Sequence, residues 1–296
     1  MIDYGVVTAA SAGYYSLLQG LLASLRPLGR IPIYVLDVGL NDGQRQELHD
    51  LGVTTTVPGW DVAIASKTIL DRHGHRAPLH DTFRSFTAQP FLPKYAPGHD
   101  VLLWIDADCW VQDLSAIDLY LDTASDGTLA ITLEVDRCYA APYWRLKSHF
   151  RDFIRAFGLK DAYTLARKMT ANVGVFALKS NAPHWGLWQR ATRRAMMHPH
   201  QRSQQMAMQY VVYIDEAPTA FLPAYCNWQS WEAVAQFDEQ TSLLVEPQPP
   251  YHPIGVMHNA QEDKSLIFSV KTRQGHLRSA TMRYEDWNHR QTASVA

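Results

Sequence analysis

The sequence predicts an α/β fold with a mostly parallel, mixed central sheet flanked by helices, and three observations carry that expectation. Residues 5–57 alternate short apolar β-branched runs with stretches of helical period, the opening of a parallel sheet. Val101-Leu102-Leu103-Trp104-Ile105 is an unbroken apolar run closed by Asp106-Ala107-Asp108, the pattern of a strand covered on both faces. The chain has 296 residues, 47% hydrophobic and 19% charged, which supplies a full core and excludes intrinsic disorder.

Taken in order, Gly5-Val6-Val7-Thr8-Ala9 is a first buried strand. Tyr14 to Leu25 follows, with apolar residues at 14, 17, 18, 21, 22 and 25 on one helical face. Ile31 to Asp37 is a second strand. Asn41 with Gln44 forms the sequence signature of a capping box and opens a helix that ends at Gly52. Thr54 to Val57 is a third strand. Residues 60–99 hold Pro78, Pro90, Pro93 and Pro97 and weak periodicity, so short helices and loops are expected there. Asp100–Ile105, Leu129–Val135 and Val173–Leu178 read as strands. Tyr143–Phe157 is an amphipathic helix, and Gln201–Tyr213 is helical. Asn181-Ala182-Pro183 is expected to cap a helix with proline in its first turn. From Ala217 onward the chain reads as irregular. No repeat or linker divides it, so residues 1–266 form one domain and 267–296 a helical or irregular extension.

Composition excludes several functions. Lys and Arg total 27 against 29 Asp and Glu, a net charge of -2 with no basic block in the body, which argues against a nucleic-acid partner. Cys109, Cys138 and Cys226 are too scattered for a disulfide framework and read as reduced cytosolic thiols. Met1-Ile2-Asp3-Tyr4 lacks the layout of a signal peptide, and no apolar run is long enough to span a bilayer. The expected location is cytoplasmic. No G-x-G-x-x-G, Walker A, G-x-S-x-G or H-E-x-x-H pattern occurs. Any phosphate must therefore be held by side chains or a metal ion.

Asp106 and Asp108 close the clearest strand, and in an open α/β sheet ligands sit off the carboxyl ends of the strands. Residues two apart on a strand share a face, so the two carboxylates converge and repel unless a cation lies between them. Mn²⁺ or Mg²⁺ takes oxygen ligands and keeps positions free for substrate phosphates. A metal gripping a diphosphate is the chemistry this pair predicts.

The run V-L-L-W-I-D-A-D-C-W-V resembles the D-x-D strand of the GT-A class of nucleotide-sugar glycosyltransferases. Asn172-Val173-Gly174-Val175 resembles that class's Asn-x-Gly-Val segment. Val256-Met257-His258, with Lys264 six residues after the histidine, resembles the His-x-x-Gly-x-x-Lys element of the retaining transferases called family eight. Ile33 to Gly39 resembles the second strand of the same group. The likeness spans roughly residues 4–266, with its elements in the family's order.

The resemblance implies roles. Asp106, Asp108 and His258 would hold the metal, and Lys264 would meet the diphosphate. Asn172 would contact the donor sugar or the acceptor, and Gln205 would lie by the anomeric carbon. Thr8, Ala9, Ala10 and Asp37 would form the nucleoside-binding edge. The implied activity is transfer of a hexose from a nucleotide diphosphate sugar, UDP-linked, to a saccharide or glycolipid hydroxyl with retention. Alternatives are an inverting enzyme with Glu134, Asp136 or Asp215 as base, and a non-catalytic nucleotide-sugar binder. The chain departs from the family at several points: Ala9-Ala10-Ser11-Ala12-Gly13 lacks an acidic residue, Gln204 stands for an Asp, Gln261 for the glycine, and Ser265-Leu266 for Pro-Trp. Gln89-Pro90 stands where relatives carry a cation that Arg84 could supply. Asp71-Arg72-His73-Gly74-His75, with His80 and Asp81, has metal-ligand chemistry but reads more simply as a polar loop. The tail from Lys264 to Arg290 mixes basic residues with Phe268, Tyr284 and Trp287, which suits either peripheral membrane contact or a packed terminal element.

Overall fold

The structure, a computed structural model, describes residues 2–64, 66–71, 74–140 and 143–287, with backbone alone for 143–149. Strands β1 (Tyr4–Ala10), β2 (Ile33–Asp37) and β3 (Thr54–Thr56) alternate with helices α1 (Tyr15–Leu25) and α2 (Asp42–Asp50). The Asn41 box forms as its sequence requires: Gln44 N donates to Asn41 Oδ1 at 2.9 Å and Asn41 N to Gln44 Oε1 at 3.0 Å, satisfying two orphan donors of α2. A hairpin of β4 (Thr68–Leu70) and β5 (Arg76–Pro78) and the short helices α3 (Arg84–Ala88) and α4 (Leu92–Tyr95) fill the proline-rich stretch.

The chain then runs through β6 (Val101–Ile105), β7 (Cys109–Val111), α5 (Ser115–Ala124), β8 (Leu129–Leu133), α6 (Tyr143–Phe157), α7 (Leu159–Leu165), β9 (Ala171–Lys179), α8 (His184–Ala195), α9 (Ser203–Tyr213) and β10 (Thr219–Leu222). The main sheet has seven strands in the order β10-β8-β9-β6-β1-β2-β3. All its pairings are parallel except those of β9, which runs antiparallel to both β6 and β8. Alternate residues of β6 face opposite cores. Val101, Leu103 and Ile105 pack with α1 and α5, and Leu102 and Trp104 pack with residues of α8 and α9.

Two expectations change here. Helix α8 begins at His184 with Pro183 at the capping position and no side-chain cap bond, so Asn181 does not cap it. The stretch after Ala217 is not irregular throughout: β10 extends the main sheet edge beside β8. Beyond it lie β11 (Trp228–Gln229), β12 (Gln236–Asp238), β13 (Leu243–Val245) and β14 (Val256–His258). β14 is the middle of a small sheet, parallel to β11 and antiparallel to β7.

Of residues 267–296, expected to be a helical or irregular extension, 288–296 lie outside the described residues, and the rest form a hairpin of β15 (Phe268–Lys271) and β16 (Leu277–Ala280), then the short α10 (Tyr284–Trp287). Their aromatics point inward. Trp287 meets Phe237 at a tilt of 47°, Tyr284 meets Trp110 edge-on, and all belong to the apolar cluster around the small sheet. Among the described residues, no helix is long and apolar enough to cross a membrane.

Candidate active site

Strand β1 sits between β2 and β6, so the chain leaves it in opposite directions on its two sides. That is a topological switch point, where the connections diverge and a crevice opens off the strand ends. β6 delivers Asp106 and Asp108 to that crevice. The turn they occupy is fixed by its backbone: Asp106 N donates to Gly174 O at 2.8 Å and Cys109 N to Asp106 O at 2.9 Å. Trp104 Nε1 donates to Asp106 Oδ1 at 2.8 Å, leaving Oδ2 toward the cleft.

The small sheet brings in the third donor. Val111 N donates to the buried Ser24 Oγ of α1 at 3.0 Å, anchoring β7. In the β7–β14 pairing His258 lies opposite Cys109. The imidazole is 7% exposed, with Nε2 3.5 Å from Asp108 Oδ1 and 3.9 Å from Asp106 Oδ2. Position 174 must be glycine for this to happen: a Cβ there would sit 2.4 Å from His258 Cε1 and 2.9 Å from Asn172 Oδ1. Lys264 Nζ reaches Asp108 Oδ2 at 2.6 Å and Asn259 O at 2.6 Å. It also lies 5.8 Å from the ring centre of Tyr14, which tethers the loop after β1 to the same corner by a cation–π contact.

These charges set one another. Desolvation, then the charge of Asp108, pushes the Asp106 carboxyl up to about 7. Burial works against ionisation of Asp108 too, but His258 and Lys264 outweigh it and hold that group well below the ordinary carboxylate range. Burial alone would lower His258 and Lys264; Asp108 more than reverses this, and both are raised. The thiol of Cys109 is pushed well above its ordinary value by burial and by both aspartates.

Two carboxylates and an imidazole are a donor set for a hard or borderline divalent cation. Oxygen and nitrogen ligands at about 2.1 Å in octahedral geometry stand about 3 Å apart, so the observed 3.5 and 3.9 Å need close by less than an ångström. A cation on Asp108 and His258 would have to draw Asp106 inward, since among the described residues the donors already within 4.8 Å of one another are Asp108, Cys109 and His258. It would take the charge-balancing place that His258 and Lys264 fill for the aspartates.

The other wall of the cleft is made of amides. A register shift between Ile131 and Thr132 of β8 leaves the start of β9 bulged, and Asn172 pairs with Thr132 there. Because β9 runs antiparallel, its beginning lies at the same end of the sheet as the end of β6. Gly174 N donates to Asn172 Oδ1 at 2.8 Å, and Asn172 Nδ2 donates to Glu134 Oε1 at 2.9 Å. Gln205 Nε2, from the first turn of α9, donates to the same Glu134 oxygen at 2.7 Å. Asn227, 1% exposed, donates from Nδ2 to Thr132 Oγ1 and to Asn172 Oδ1, and its Oδ1 lies 3.0 Å from His258 Nδ1. Asn172, Gln205 and His258 thus belong to one hydrogen-bonded group, joined by Glu134 and Asn227.

The nucleoside-edge residues are placed differently. Thr8 is fully buried within β1, Ala10 nearly so, and Ala9 half-buried. Asp37 spends no oxygen on the cleft: Oδ1 accepts from Gly39 N and Leu40 N, and Oδ2 pairs with Arg45 Nε at 2.6 Å. It shapes the loop after β2, with burial opposing and Arg45 dominating a lowered carboxyl. Arg84 is held by Asp81 and lies over Trp60. Asp136 caps its own turn through Cys138 N. Asp215 lies past the end of α9, at the far end from Gln205. In the polar loop, His75 and Asp71 are 3.6 Å apart, while Arg72 and His73 lie outside the described residues. Sequence reasoning missed Asn227, Tyr14 and Cys109. The signal for Asn227 was a lone amide inside the apolar and aromatic run A-Y-C-N-W.

No family profile and no curated sequence matches the chain. Solved structures do. One is the galactosyltransferase LgtC in complex with donor and acceptor sugar analogues, at 16% identity and TM-score 0.51, covering 87% of each chain. An active-site variant of LgtC gives 16% and 0.52 over the same shares. Mouse xyloside xylosyltransferase 1 in its apo form gives 12% and 0.56, covering 88% of this chain and 98% of that one. This chain has the α/β, GT-A-like fold of those glycosyltransferases.

Proposed function

We propose that the chain is a divalent-metal-dependent glycosyltransferase that moves a hexose from a nucleotide diphosphate sugar, UDP-linked, to a hydroxyl of a saccharide or glycolipid acceptor. The observation that carries this reading is the meeting of Asp106, Asp108, His258 and Lys264 at the switch point of the sheet. Mn²⁺ or Mg²⁺ held by the first three would neutralise the departing diphosphate, an effect worth several kcal/mol of barrier. Lys264 would transfer its contact from Asp108 to a phosphate oxygen, adding charge where charge develops. Tyr14 and the ends of β1 would border the nucleoside.

Asn172, Gln205 and Glu134 face the hexose in this reading. Gln205 steadies the anomeric carbon and Asn172 positions the sugar or the attacking hydroxyl. Retention is favoured over inversion by the disposition of carboxylates. Glu134 Oε1 already accepts two amide N–H bonds, and Asp215 stands at the wrong end of α9. The departing phosphate oxygen can instead take the acceptor's proton during same-face attack. LgtC, a protein of similar fold, is bound to donor and acceptor sugar analogues, which supports this reading.

Titration calorimetry of UDP in EDTA and in Mn²⁺ tests the core of this reading. Affinity is expected to rise at least about tenfold, or 1.4 kcal/mol, with the metal. Equal affinity in both conditions overturns it. A thermal-shift panel of nucleotide sugars then identifies base and hexose, since ligand at about 100 times its Kd stabilises by about 2.7 kcal/mol.

A further inference from the structure

Cys109 follows the second aspartate directly, and it faces the cleft's metal donors from the neighbouring strand. In the β7–β14 ladder it lies opposite His258, and directly opposed residues project from the same face of a sheet. Donor atoms of Asp108, Cys109 and His258 all lie within 4.8 Å of one another. Lys264 holds Asp108 Oδ2, and Oδ1 is left toward the imidazole at 3.5 Å. The cleft therefore contains two overlapping donor sets. One has two carboxylates and an imidazole and suits a hard cation. The other has one carboxylate, one imidazole and one sulfur.

We infer that Asp108, Cys109 and His258 form a second, soft-cation site, taking Zn²⁺ or Cd²⁺, which excludes the hard cation because the two sets share Asp108 and His258. Thiolate is the donor that selects soft and borderline metals, and mixed Cys, His and carboxylate ligation is ordinary for zinc. A tetrahedral zinc site with those bond lengths holds its donors about 3.5 Å apart, so the present triangle contracts by about an ångström at its widest. On binding, the Cys109 S–H bond breaks, a sulfur–metal bond forms and the proton passes to solvent; no electron is transferred. Zinc binds N, O and S donors more tightly than manganese does. A bound zinc ion would draw Asp108 and His258 toward Cys109 and away from Asp106. The site itself stands on the donors alone. Its consequence, that zinc blocks sugar transfer in competition with Mn²⁺, rests on the transferase reading.

The test uses Cd²⁺ as the probe, followed by its ultraviolet thiolate-to-metal charge-transfer absorbance on the metal-free protein. The band is expected to appear and saturate in the wild type and in Asp106→Asn. It is expected to vanish in Cys109→Val, with Cd²⁺ affinity falling by more than about a hundredfold, beyond what loss of a mere supporting contact costs. A band that survives Cys109→Val, and so arises from Cys138 or Cys226, overturns the inference. So does absence of the band in the wild type. If Cys109→Val fails to fold, cadmium NMR of the unaltered protein decides, because its chemical shift reports sulfur ligation directly: a sulfur-ligated signal supports the site and an all-oxygen and nitrogen signal overturns it. None of these readouts involves turnover, so the soft site and the transferase reading fail independently. Where transfer is measured, added Mn²⁺ is expected to restore activity lost to Zn²⁺.

Discussion

The two walls of the cleft are held by different forces. On the small-sheet side, Asp106, Asp108, His258 and Lys264 are four ionisable groups whose charges set one another's protonation. On the bulged side, Asn172, Gln205 and Asn227 are neutral amides held by hydrogen bonds, two of them to the one carboxylate of Glu134. The difference teaches how a site can be both preformed and responsive. The amide wall is held by directional hydrogen bonds between uncharged side chains and the single carboxylate of Glu134. The ionic wall is a balance that any cation or phosphate will shift, because Coulomb terms between groups this close are large in a desolvated setting.

Substitutions can break that contrast. The largest effect is expected from Asp108→Asn, which removes the carboxylate shared by His258 and Lys264 while keeping its shape. Sugar transfer should fall on the order of a thousandfold, with the circular dichroism spectrum unchanged; wild-type turnover would make Asp108 an ordinary turn residue. Next comes Lys264→Ala. Loss of one charge-assisted contact is expected to cost about 1.5 to 3 kcal/mol in kcat/KM, with uridine affinity unmoved, since the nucleoside carries no phosphate. Unchanged transfer would leave Lys264 as a partner of Asp108 and nothing more.

The amide wall is probed by Asn227→Leu. It leaves Asn172, Thr132 and His258 short of a partner, and Mn²⁺ affinity measured by electron paramagnetic resonance should drop about 10- to 100-fold. An unchanged affinity would show that the amide wall does not support the ionic one. The smallest effect concerns charge outside the cleft. His200 is lowered to about 4, by burial first and then by Arg202 and Arg155, with Asp152 opposing. An unfolded histidine titrates near 6.5. The unfolded chain thus takes a proton first, so this group's contribution is complete above about pH 6.5 and is lost as pH falls from there toward 4. Thermal denaturation of His200→Gln should show a flatter acid limb than the wild type and no change in pH dependence above pH 7; an identical acid limb would remove His200 as its cause.

The sequence announced the parts of this molecule where one local pattern suffices. The β1 and β6 runs are apolar on both faces, and the Asn41–Gln44 box is a two-residue signal with one geometry. The proposed ligands Asp106 and Asp108 stood out as carboxylates two apart at a strand end, whereas His258 was reached through the family resemblance. What was not legible depends on distant partners. The run direction of β9 is not written in its hydrophobicity, so the meeting of Asn172 with the end of β6 could not be derived from pattern. Strand β7 is three residues long and has no period of its own. It forms because β14 pairs with it, His258 opposite Cys109 across a spacing of 149 residues. β10 is four residues between Pro218 and Pro223, a place where prolines argue for a loop. Asn227 became visible only once its three partners stood around it.

The hydrogen bonds that begin at Gly174 have a direction. A backbone N–H cannot turn around, so the atom of Asn172 that receives it must be oxygen. That same oxygen accepts from Asn227, which must then present nitrogen to it and oxygen to the imidazole. The His258 nitrogen facing Asn227 is consequently the protonated one, and the lone pair that becomes available when the other proton leaves points at Asp106 and Asp108. One peptide bond thus dictates, through two side-chain amides, which tautomer a histidine adopts. The arrangement is a rectifier built of neutral groups: it transmits orientation from the sheet to the cleft in one sense only, and no change of pH or salt can reverse it.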